Sequence, residues 1–256
     1  MFPAFWSELH PWQWALVGTT GLVVGLAKTG LSGVSLLFVP LMAAAFGAKA
    51  STGLLLPMLC FGDLFGVAYY RRHADFKQLI RLMPWALAGL AAGAGVGIGL
   101  EDGEFKRLLA VLVLVCLALM VWQDRKKNLA VPGDPVAPLG WWFPALAGLA
   151  AGFTTMVGNA AGPVMTLFLL SMRLPKNAFI GTAAWFFLII NLVKVPLQIF
   201  FWHNMTGESV LVALSSIPFI ATGAWLGLKL VGKMPERFFK GFVLVMTGVS
   251  ALFLLL

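Results

Sequence analysis

The sequence predicts an all-α polytopic membrane protein made of two inverted repeats, each a broken-helix hairpin plus three transmembrane helices. Three observations carry that prediction: the composition, the spacing of the apolar runs, and the placement of Lys and Arg. Of 256 residues, 60 % are hydrophobic and 11 % are charged, and the mean hydropathy is +0.92. A soluble domain carries about 45–50 % apolar and about 25 % charged residues. This chain has too few charges to coat a water-facing surface. That excludes a soluble enzyme, a nucleic-acid-binding domain and a disordered protein. The net charge of +8 sits in short loops between apolar runs, as topology-setting charge does. The expected partner is therefore the lipid bilayer, not nucleic acid.

The apolar runs fall in two groups of four. The first repeat, 1–123, holds runs at about 12–46, 51–70, 79–100 and 105–122. A linker at 124–140, rich in charge, Pro and Gly, separates it from the second repeat, 141–256. There the runs lie at about 141–172, 178–202, 209–231 and 238–256. The halves share residues at two slightly different shifts, 134 and 128. Pro84, Gly89, Gly93, Phe105 and Lys106 match Pro218, Gly223, Gly227, Phe239 and Lys240. Gly53 and Asp63 match Gly181 and Asn191. Shared residues in the same order of segments argue for a duplicated unit. No Lys or Arg precedes Lys28 and the first run has no clean cleavage site, so no cleavable signal peptide is expected. Cys60 and Cys116 both lie inside apolar runs, where packing is their expected role.

The first run of each half is too long for one crossing of about 20 residues. Each has a polar, Gly-rich middle: Lys28 to Gly33 in one, Thr154 to Pro163 in the other. Gly and Pro at membrane depth predict a break in the helix. Charge placement tests whether each broken run crosses the membrane or turns back. If both cross, Lys and Arg outside the membrane divide 7 against 9. If both turn back, one side collects Arg71, Arg72, Lys77, Arg81, Arg125, Lys126, Lys127, Arg173, Lys176, Lys229, Lys233, Arg237 and Lys240. The other keeps only Lys49, Lys106 and Arg107. The second division obeys the positive-inside rule. It places both termini outside, and the second repeat then enters from the opposite side. Inverted repeats with broken helices are a recurrent transporter architecture.

Ionisable residues within membrane runs are rare and mark function or structural pairing. Three occur here: Lys28 at the first break, Asp63 in the second run and Lys194 in the sixth. Asp63 could pair with either lysine and hold helices together, or Lys28 could snorkel to an interface. Alternatively, the lysines face a polar cavity and attract a small anionic substrate. Asp63 then balances their charge or carries a proton as the coupling ion. A helix that restarts after a break offers free N–H groups and the positive end of its dipole. Gly30, Gly33, Gly158 and Gly162 would let an anion approach those amides. Thr29, Ser32, Thr155, Asn159 and Asn191 add short polar groups, and Trp185 lies near the polar positions of its helix. No nucleotide loop, metal-ligand spacing or catalytic constellation is present in the sequence, so no cofactor and no enzymatic activity are expected.

The stretch Gly181-Thr182-Ala183-Ala184-Trp185-Phe186-Phe187, followed by Asn191-Leu192-Val193-Lys194-Val195-Pro196, resembles the second half of sulfite exporter TauE/SafE proteins. The first break, in a Gly-rich segment ending at Pro40, resembles that family's N-terminal motif. Consecutive glycines are common there, where this chain has Gly30-Leu31-Ser32-Gly33. The resemblance implies a secondary transporter of sulfite, sulfonates or related sulfur-containing anions in a bacterial inner membrane. An anion channel and a non-transporting membrane subunit are the alternative readings of the same residues.

Overall fold

A computed structural model describes residues 9–30, 38–101, 140–172 and 174–233, with isolated positions at 103–104, 107–108, 111, 238 and 245. The last run of each predicted repeat, the linker, and Ser32 and Gly33 lie outside the described residues, apart from those isolated positions. Every long element among the described residues is a helix. We number them α1 (Pro11–Lys28), α2 (Phe38–Phe46), α3 (Ala48–Tyr70), α4 (Phe76–Gly99), α5 (Trp142–Gly158), α6 (Gly162–Ser171), α7 (Lys176–Phe200), α8 (Gly207–Ser215) and α9 (Ile217–Lys233).

Both long N-terminal runs are interrupted. α1 starts at Pro11, where a missing N–H costs nothing, and the Gln13 side chain accepts the His10 N–H at 3.0 Å. It ends at Lys28, and the chain resumes as α2. Gln13 Nε2 donates to the Ala45 carbonyl at 3.2 Å, so the start of α1 meets the end of α2. α5 ends at Gly158 because Asn159 takes the left-handed conformation, φ 54°. Its neighbour Ala160 then closes the helix by donating to Thr154 O at 3.2 Å, and α6 starts with a proline in its first turn. The rings of Phe143 and Phe168 stack at 5.9 Å, so the start of α5 lies beside the later turns of α6. Each broken pair is thus a hairpin.

The two hairpins open at opposite ends of the bundle. α3 and α7 are antiparallel at its centre. At one end, Asp75 N donates to Thr182 Oγ1 at 2.8 Å. Asp75 also caps α4 through Lys77 N and Gln78 N. Arg71, Arg72, Lys77 and Lys176 gather at this end, and α5 starts there beside α4. At the other end Asn204 Nδ2 donates to Lys49 O at 2.8 Å and Thr52 Oγ1 at 2.9 Å. The α1–α2 hairpin opens at that end.

The halves exchange partners. α4 packs on α5, and α9 packs on α1. A Cβ on Gly89 would collide with the Leu149 carbonyl, and one on Gly223 with that of Leu22. Likewise a Cβ on Gly152 would collide with Ala86 O, and one on Gly25 with Ile220 O. Each contact has its counterpart with the halves swapped. The small residues permit backbone approach where lipid offers no hydrophobic drive for association.

The seventh run differs from the single helix expected at 209–231. It is two helices, α8 and α9, bent by 49°. Pro218 has no N–H to give to the previous turn. The carbonyl it would have bonded, Leu214 O, accepts from Ser216 N instead, and Ser215 Oγ and Ser216 Oγ donate to Val212 O and Ala213 O at 2.7 and 2.6 Å.

Among the described residues, three helices, at Ala48–His73, Phe76–Gly99 and Lys176–Phe200, are long and apolar enough to cross a membrane. The bent α8–α9 pair makes a fourth candidate. The bundle is inside-out relative to a soluble protein. Ile80 and Phe200 are each 68 % exposed, whereas Asp63 and Lys194 are 0 % exposed.

Candidate functional site

The broken ends of both hairpins meet the middles of α3 and α7. Lys28 is the last residue of α1, where carbonyl dipoles favour a cation. Gly62 and Gly66 on α3 leave room for it. A Cβ on Gly62 would lie 3.0 Å from Lys28 Cγ, and one on Gly66 2.7 Å from the Lys28 carbonyl. The ammonium consequently reaches Asp63 Oδ1 at 2.7 Å. It also lies 4.2 Å from the centroid of the Phe187 ring on α7, whose face attracts a cation.

Asp63 continues the chain of contacts. Its Oδ2 accepts from Asn191 Nδ2 at 2.7 Å. These two residues occupy matching positions in the two halves, so the internal register brings them face to face. Lys194, one turn along α7, donates to Asn191 Oδ1 at 3.4 Å and to Thr155 Oγ1 at 3.3 Å. It also donates to Asn159 Oδ1 in the break between α5 and α6. One polar network therefore runs from the first hairpin through α3 and α7 to the second. Asp63, Asn191, Lys194 and Thr155 are all buried, and such groups are tolerated in a membrane only when paired.

The charges do not cancel. Lys28 and Asp63 form an ion pair. Lys194 makes no ion pair among the described residues, and its hydrogen-bond partners are neutral. All three partners line a cavity of about 50 Å³, together with Lys28 and Gly162. A cavity that size holds a few waters or a compact ion. A Cβ on Gly162 would have nothing within 4 Å, so the first turn of α6 faces open space.

The other predicted residues lie elsewhere. The Thr29 hydroxyl sits 2.9 Å from Gly25 O and 3.1 Å from Ala224 O, tying α1 to α9. Gly30 follows in the turn after α1. Gly158 is buried at the end of α5, outside the cavity lining. Trp185 is half-buried, its ring 5.8 Å from that of Phe76, and it too is outside the lining. Most of the other lining residues, Thr166 and Phe187 among them, are not singled out as site residues from the sequence. Thr166 stands one turn after Gly162, a spacing that puts both on one face of α6. Phe187 ends the Gly181–Phe187 stretch that carries the family resemblance, but nothing among twenty-one phenylalanines marks it as facing the cavity.

A helical bundle with long apolar spans, interrupted helices and a buried network of charges is a polytopic membrane protein with the parts of a transporter. The family model of the sulfite exporter TauE/SafE matches residues 17–254, nearly the whole chain. The chain belongs to that family, which is one of membrane exporters. No curated protein and no solved structure matches it at a significant level.

Proposed function

We propose that the protein is a secondary transporter that exports sulfite or a related small sulfur-containing anion by alternating access. The observation that carries this reading is the charge imbalance of the buried network: two lysines against one carboxylate, beside a small cavity that Lys28 and the three neutral partners of Lys194 line among mostly apolar residues. In a low-dielectric setting an uncompensated ammonium attracts an anion strongly. Lys194 is the main attractant, and Lys28 adds charge once it turns from Asp63. Asn191, Asn159, Thr155 and Thr166 orient the anion by hydrogen bonds, and the first turn of α6 offers backbone N–H groups. Asp63 balances charge in the empty state and takes up a proton when Lys28 turns to the substrate.

The exchanged contacts between halves and the hairpins opening at opposite ends support a pair of inverted repeats around the site. The basic end, with Arg71, Arg72, Lys77 and Lys176, faces the cytoplasm on this reading. The membrane is the bacterial inner membrane, with both termini outside.

The test is flux of sulfite and a panel of small sulfonates into proteoliposomes, with and without a pH gradient. Saturable flux that responds to the gradient and accelerates when unlabelled substrate is trapped on the far side is the expected result. Conductance without such exchange would make the protein an anion channel. Lys194→Ala is expected to insert and purify normally but to transport nothing. Flux at the wild-type rate in that variant would remove Lys194 from the site.

A further inference from the structure

Asn191, Lys194 and Gln198 fall at i, i+3 and i+7 on α7, and so form one stripe along the helix. The first two are engaged in the network. Gln198 is different. It is 0 % exposed, yet neither its Nε2 nor its Oε1 has a hydrogen-bond partner among the described residues. Unpartnered buried amides are uncommon, because a Leu of similar size would fill the space without the loss of hydration. Gln198 stands one turn beyond Lys194, toward the end of the bundle where Asn204 lies. Its backbone carbonyl accepts from Asn204 N at 3.2 Å. Asn204 Oδ1 is also buried without a partner.

A second polar path leads the same way. Asn159, which holds Lys194, donates through Nδ2 to the Thr52 carbonyl at 3.4 Å. Thr52 Oγ1 in turn accepts from Asn204 Nδ2 at 2.9 Å. Asn204 lines a second cavity, of about 540 Å³, with Gln13, His203 and Glu208. The small central cavity and the larger one are thus separated by a short polar plug of Asn159, Thr52 and Asn204, and Gln198, whose side chain lines neither cavity, is tied to the plug through its carbonyl and Asn204 N.

We propose that Gln198 is a second anion-contacting residue, the step between the Lys194 site and the larger cavity. This rests on the anion-transport reading above and names the route by which that site empties. Release of Asn204 from Thr52 opens the plug. The two N–H groups of the Gln198 amide then receive the oxyanion from the Lys194 ammonium. In the closed form the amide has no partner because its partner is the passing ion. A neutral amide suits a transfer step, since it holds an anion less tightly than a lysine and lets it leave.

The experiment compares wild type, Gln198→Leu and Lys194→Ala for equilibrium binding of labelled sulfite in detergent and for sulfite flux in proteoliposomes. Gln198→Leu is expected to bind sulfite within about twofold of wild type, to melt at the same or a higher temperature, and to lose flux by roughly tenfold or more, the loss of one hydrogen bond to an ion. Wild-type flux in Gln198→Leu overturns the proposal. So does a loss of binding equal to that of Lys194→Ala, which would place Gln198 in the primary site. If Gln198→Leu fails to fold, Gln198→Met is read by the same criteria. The plug is tested separately with Thr52→Cys/Asn204→Cys on a Cys60→Ser/Cys116→Ser background. Oxidation is expected to stop flux and reduction to restore it, whereas full flux in the oxidised pair overturns the route. Absence of sulfite binding and flux in the wild type would instead overturn the transport reading itself, and this step with it.

Discussion

Asp63 shows why a charged residue persists in an apolar helix. Its two oxygens are committed to two different helices, one to Lys28 and one to Asn191. Breaking a buried pair by removing one partner costs about 3–5 kcal/mol, because the other charge is left uncompensated. Asp63→Asn alone and Lys28→Met alone are therefore expected to melt well below wild type. The double variant is expected to recover most of the loss, which thermal unfolding in detergent would show. Additive losses would mean that the pair is not coupled. The sequence made Lys28, Asp63 and Lys194 visible because charge at membrane depth is rare. It left open which lysine Asp63 takes, since that depends on the angle at which the first hairpin meets α3. Thr29 was left open for a related reason. A threonine beside a break reads as a ligand donor, but here the hydroxyl satisfies carbonyls of α1 and α9.

At the scale of elements, the two hairpin breaks and the matched glycines were legible, because Gly and Pro leave few alternatives in a helix. The bend at Ser216 was not. Pro84 and Pro218 occupy matching positions, yet α4 runs through Pro84 while the chain breaks before Pro218. The difference lies in the two serines before Pro218, whose hydroxyls take up carbonyls of the preceding turn. Sequence periodicity does not weigh that local competition. The close approaches at α4–α5 and α1–α9 give a paired prediction. Gly223→Leu and Gly89→Leu would each force backbone against backbone. Both should lower the melting temperature and the yield of monodisperse protein, while Gly95→Leu, where nothing lies within 4 Å, should do neither. Equal tolerance at all three would contradict the packing described for the exchanged helices.

For the whole molecule, the arrangement of charge predicts a topology. A thiol introduced at Arg72 should be labelled only from the cytoplasmic side, and one at His203 only from outside, on a Cys60→Ser/Cys116→Ser background. Labelling of both from one side would defeat the two-hairpin topology. Fold class was readable because composition alone excludes a water-facing surface. The identity of the anion was not, because the proposed site of two lysines and a handful of amides would recognise charge and size more than chemistry. The central claim is that the surplus positive charge of the buried network, centred on Lys194, is what binds the anion. Its most direct test is equilibrium binding of labelled sulfite to three purified proteins: wild type, Lys194→Met, and Lys28→Met/Asp63→Asn. The double variant removes one charge of each sign and keeps the surplus, so it should still bind, while Lys194→Met should not. Undiminished binding by Lys194→Met would contradict the account.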